Sequence, residues 1–180
     1  FGQLRDAYFD LSFDSKREYR IRVGQSKVPY GYENLQSSQN RLSLDRNDAL
    51  NSGMLNERDL GVFFYWAPSK IRERYAMLVR DGYKGSGDYG VFAFGVYNGQ
   101  TANKVEGNRD LHVVSRVAYP FVVGSQIIEP ALQAYTGKWA FSNELSTGVT
   151  TPDPQKTIDQ RVGASFVVFP KPFGLQTEYN

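Results

Sequence analysis

The chain has 180 residues, with 21 Lys and Arg against 19 Asp and Glu, a formal charge of +2 and a mean hydropathy of −0.48. So small a charge argues against a nucleic-acid partner, and no run approaches the roughly 18 apolar residues of a spanning helix, which excludes a helical membrane protein. The absence of cysteine removes disulfides, thiolate metal sites and a cysteine nucleophile together.

What remains is a chain of short alternating stretches. The first strand is expected over residues 3–13, with Ala7, Phe9, Leu11 and Phe13 on one side and Asp6, Tyr8, Asp10 and Ser12 on the other. Asp14, Ser15 and Lys16 close a tight hairpin into the second strand, residues 17–25. There Arg20 and Arg22 alternate with Tyr19, Ile21 and Val23, so the strand separates a wet side from an oily one. A long connection over residues 26–57 follows, rich in Asn, Ser and Asp and opened by Val28-Pro29-Tyr30-Gly31; such length inside a compact unit is usually functional or disordered.

The third strand, residues 58–66, sets Leu60, Val62, Phe64 and Trp66 against Asp59, Gly61, Phe63 and Tyr65. Over residues 68–82 the period changes to that of a helix: Ile71, Tyr75, Leu78 and Val79 share a face, Pro68 and Ser69 start it and Gly82 stops it. Lys84-Gly85-Ser86-Gly87 then reads as a hinge. The remaining strands are expected over 88–97, 111–121, 126–138, 158–169 and from about 173, the last after a Pro170-Lys171-Pro172 corner. A polar loop ends near Lys156.

Connections one, three, five and seven are turns or a compact helix, whereas two, four and six are polar loops. Outer-membrane barrels have this parity, with short periplasmic turns and longer external loops. The fold class expected is therefore all-β: an antiparallel transmembrane β-barrel segment of about eight strands with a short periplasmic helix. Residues 1–180 form one segment without a linker, and the chain's ends, both close to strand-like alternation, read as those of a mature or truncated piece of something larger.

Three strings carry a family resemblance. They are Arg20-Ile21-Arg22-Val23-Gly24-Gln25-Ser26-Lys27-Val28-Pro29-Tyr30-Gly31, Asp45-Arg46-Asn47, and Val96-Tyr97-Asn98-Gly99. With them the chain resembles the phosphate-selective porin O and P family of Gram-negative bacteria. The resemblance implies a sixteen-stranded barrel, of which this segment is about half, a homotrimer in the cell outer membrane, and a long loop folded into the lumen. Lys27 matches the motif leading into that loop and Arg46 a basic position within it.

The residues that would line the pore follow from parity and from the loop. Arg20, Arg22, Arg116 and Arg161 fall on the polar side of their strands, and Lys27, Arg41 and Arg46 sit in or at the edge of the long loop. Rings of like charge in a narrow passage bias which ions enter. The alternative for the four wall arginines is that they only solvate the inner wall or pair with Asp6, Asp10, Asp59, Glu129 and Glu178, which parity also turns inward; for Lys27, Arg41 and Arg46 it is that the loop stays outside and they are ordinary surface charges. Trp66, Tyr97, Tyr119, Tyr135 and Trp139, near strand ends, are expected in interfacial belts. The lone His112 has no second His or Cys beside it in composition, so it reads as a wall histidine rather than a metal ligand or catalytic base.

The function expected is that of a porin and not an enzyme: passive diffusion of small hydrophilic solutes or ions, with an anion preference, no cofactor, and outer-membrane lipid as the partner of the oily face. The competing readings are a soluble all-β ligand-binding barrel, which would reverse the parity, and an outer-membrane enzyme or adhesin with a plugged lumen.

Overall fold

The computed structural model describes residues 2–141, 153 and 156–180. Its strands are β1 (Ala7–Ser12), β2 (Tyr19–Lys27), β3 (Arg58–Trp66), β4 (Phe92–Tyr97), β5 (His112–Ala118), β6 (Phe121–Val123), β7 (Gln126–Trp139), β8 (Thr157–Val168) and β9 (Leu175–Tyr179). All belong to one antiparallel sheet in the order β1-β2-β3-β4-β5-β7-β8-β9, with β6 paired to the start of β7. Each strand on this path hydrogen-bonds to its successor, as hairpin connections dictate. The strand expected over residues 111–121 breaks at Tyr119-Pro120, because proline has no N–H to give to the ladder. The sheet is not closed: β1 and β9 are its two edges.

Register carries the alternation across the whole sheet. One row runs Arg22, Phe63, Gly95, Val114, Tyr135, Arg161, and the next runs Arg20, Tyr65, Ala93, Arg116, Gln133, Gly163. These rows form the covered face, where Phe63 and Val114 are 0% exposed and Arg116 is 2% exposed. The opposite row, Ile21, Phe64, Phe94, Ser115, Ala134, Val162, is open, with Val162 71% and neighbouring Leu132 66% exposed. A soluble sheet hides its aliphatic side; this one presents it. Glycine makes room for rings on the covered face, since a Cβ on Gly95 would overlap Phe63.

The covering layer is the chain's own connections. Residues 28–57 contain α1 (Tyr32–Leu35), a 3₁₀ turn (Ser38–Asn40) and α2 (Asp48–Gly53). The Asn47 side chain caps α2 by accepting from Leu50 N at 2.9 Å. From this connection Val28, Tyr30, Leu50 and Met54 form one cluster with Phe63, Tyr65, Tyr97 and Val114 of the wall. The helical segment read in the sequence is α3 (Ser69–Arg80), stopped by Gly82 at φ 79°, a left-handed conformation that glycine adopts at little cost. Its Ile71 and Tyr75 pack on Ala67 and Val91, and its Leu78 packs on Tyr32, Val167 and Phe169.

Candidate functional site

Lys27 and Arg58 are partners at one end of the β2–β3 ladder, and Trp66 and Phe92 are partners at the opposite end of β3–β4. The 28–57 connection therefore reaches the polar face from one rim, and the 67–91 connection reaches it from the other. They meet over the face. Tyr32 Oη and Gln36 Nε2 both donate to the carbonyl of Lys84, at 3.0 and 2.6 Å.

The long connection is pinned to the wall by charge. Glu57, its last residue, accepts from Lys27 Nζ at 3.2 Å, from Arg58 Nη1 at 2.8 Å and from Arg41, with Arg46 Nε 3.8 Å away. Burial works to raise the Glu57 carboxyl, but Lys27 and Arg41 outweigh it and hold it down at about 2. Lys27 also donates to the carbonyls of Asn34 and Gln36, at 2.8 and 2.7 Å, and Arg46 to Asn34 Oδ1 and Met54 O, at 2.8 and 2.9 Å. Glu33 takes Ser43 Oγ and the Asn47 N–H. At the far side of the sheet, Glu178 of β9 accepts from the backbone N–H of Tyr32 at 2.8 Å and of Glu33 at 3.0 Å. Arg161 donates to the Ala49 carbonyl at 2.5 Å.

On the wall, Arg22 makes a bidentate pair with Asp10, at 2.7 and 2.8 Å, while its guanidinium lies 3.8 Å over the Tyr8 ring. Arg20 and Arg72 share Asp88, at 2.8 and 2.7 Å. Arg116 pairs with Glu129 at 3.0 Å, both nearly inaccessible. All seven cations singled out in the sequence thus lie at the covered polar face. Six enter ion pairs, and among the described residues Arg161 is held by a carbonyl.

Two aromatic expectations are corrected. Tyr97 and Tyr135 are buried in the covered cluster, because their register positions turn them inward with Gly95 and Val114. Tyr119 and Trp66 pack against the helix cluster. His112 is 1% exposed, with Nε2 3.3 Å from Asp159 Oδ2, whose Oδ1 accepts from Tyr135 Oη at 2.9 Å. Its ring sits where a Cβ on Gly99 or Gly137 would fall. The sequence held no sign of this packing beyond the two glycines themselves. The polar loop expected to end near Lys156 lies largely outside the described residues.

A single antiparallel sheet that exposes its aliphatic side and covers its charged side with its own connections defines the wall of a transmembrane β-barrel. A ligand-carrying soluble barrel has the reverse parity. The profile of the family described as phosphate-selective porin O and P matches residues 1–180, and the chain belongs to that family; it is an outer-membrane porin. No curated protein and no solved structure matches it.

Proposed function

We propose that the covered face is the pore lumen and that the protein lets small hydrophilic solutes and ions diffuse passively, with a weak anion preference, across the outer membrane of a Gram-negative bacterium. The observation that carries this reading is the packing of Val28, Tyr30, Leu50 and Met54 onto the polar face, which brings residues 26–57 over the charged rows rather than away from them. Arg20, Arg22, Lys27, Arg41, Arg46, Arg116 and Arg161 then line or edge the passage. Because nearly all are paired with carboxylates, the field they leave is transverse and the net anion bias small. The proposal extends to a homotrimer in which residues 26–57 fold into the lumen, as the family resemblance implies. No chemistry on the solute enters this reading.

The test is single-channel recording in a planar bilayer. Stable pores with a reversal potential displaced slightly toward the anion are the expected outcome, and replacement of residues 32–53 by a short flexible linker should raise conductance severalfold. A protein that gives no pores, or one whose conductance is indifferent to the replacement, would overturn the proposal.

A further inference from the structure

The two inserts do not fill the space between them. Where they meet they leave a cleft of about 480 Å³ against β1–β3, within the size range of small-molecule sites. Its charged lining is Arg5, Arg22, Lys27, Arg41 and Arg58 against Glu57 and Asp88. The cations are partly spent. Arg22 gives Nε and Nη2 to Asp10, Arg41 gives Nε and Nη2 to Glu33 O and Glu57, and Arg58 gives Nε and Nη1 to Asp6 and Glu57. Each guanidinium keeps one nitrogen that donates to no protein acceptor among the described residues. Arg5 enters no ion pair among them. Ser86, 6% exposed, lines the same cleft with a hydroxyl that has no hydrogen-bond partner there. The uncharged lining is mixed: Ser37, Ser38 and Asn40 are polar, while Leu35 and Val79 on the inserts, Tyr8 on the wall and Tyr89 beside it make an apolar and aromatic part.

We infer that this cleft is a solute subsite for small monocarboxylates with an apolar or aromatic body. A carboxylate takes two donors from a planar fork, so Arg5 and the spare guanidinium nitrogens match its geometry. The body of the solute lies along the exposed Tyr8 and Val79 side chains, where displaced water adds to the attraction. A compact, doubly charged oxyanion gains less. It must shed a strong hydration shell to meet cations that Glu57, Asp6 and Asp10 already neutralise. This inference rests on the porin reading and specifies which solutes the passage favours.

The test measures single-channel current in planar bilayers with benzoate, inorganic phosphate or glucose added in turn to a chloride electrolyte. Benzoate should reduce the current with a saturable dependence, while phosphate and glucose at equal concentration leave it nearly unchanged. Arg5→Ala, at an exposed position that pins neither insert, should raise the half-blocking benzoate concentration roughly tenfold with the open-channel current retained. Val79→Glu should weaken the block likewise by placing an anion in the cleft. Open channels that benzoate does not block, or that phosphate blocks equally well, overturn the subsite and leave the porin reading standing. A refolded protein that carries no current overturns both.

Discussion

Glu178 and Tyr32, separated by 146 positions in the chain, are joined by a 2.8 Å hydrogen bond from the Tyr32 backbone N–H to the Glu178 carboxylate. The last strand of the sheet thereby ends the free travel of a connection that departs from the second. Loss of this acceptor should loosen the insert without unfolding the wall. For Glu178→Leu we expect noisier, larger conductance, with a cost of about 2 kcal/mol in the free energy holding the insert. Glu178→Gln, which keeps one acceptor, should lie between. Single-channel noise and protease cleavage within residues 32–53 measure both.

Acid should release the same insert from its other anchor. Glu57 is depressed from the ordinary 4.5 to about 2 by the cations around it. A depressed carboxyl contributes its full stabilisation above 4.5 and loses it as pH falls toward 2. Protease cleavage of the insert, followed against pH, should therefore rise through that window, and the total contribution lost is on the order of 3 kcal/mol. Glu57→Gln should show high cleavage at neutral pH and little further change on acidification.

The two sides of β2 should respond oppositely to substitution. Val23 lies between Phe9 and Val62 on the open apolar row, so Val23→Arg should hinder assembly by about 2 to 4 kcal/mol if that row faces mid-bilayer lipid. Arg22→Ala leaves Asp10 unpaired beside the passage, so it should assemble and shift the reversal potential toward cations. Heat-modifiable migration on gels measures the first effect and bi-ionic potentials the second. Equal assembly defects would mean that the faces are reversed.

The seat of His112 predicts a rescue. A Cβ at residue 137 falls on the imidazole, so Gly137→Ala should destabilise the barrel by about 1 to 3 kcal/mol through overpacking. With His112→Ala also present, that penalty should shrink, because the ring that made the clash is gone. Denaturant midpoints of the two single variants and the double variant give the coupling directly. Gly99→Ala should be less fully rescued, since residue 99 also has φ 93°.

Much of the wall was legible because strand alternation has a period of two and both faces impose it. Residues 58–66 were delimited as observed, and Arg20, Arg22, Arg116 and Arg161 followed from parity alone. Helix α3 was legible for the same reason at a different period, with Gly82 as its stop. Pairing of charges was not. Glu178 meets Tyr32, and Arg41 meets Glu57, through distances in the fold that no local pattern encodes. Parity also misdirects at Lys27, which would look outward with Ile21 and Val23. The alternation lapses beyond Gly24 at φ 126°, and Ser26 and Lys27 are both buried beneath the connection they begin. Tyr97 and Tyr135 misled because an aromatic near a strand end suits an interfacial girdle as well as a ring packed against a loop.

On the proposed reading, in which residues 26–57 narrow the pore, the shared carbonyl of Lys84 makes the width of the aperture a joint property of two segments that leave opposite ends of the strands. Neither sets it alone: shorten the connection from one surface and the other loses its stop, lengthen either and both are displaced. On that reading a change of selectivity needs paired changes, one in each segment, and a chimera that imports only one of the two should leak or jam.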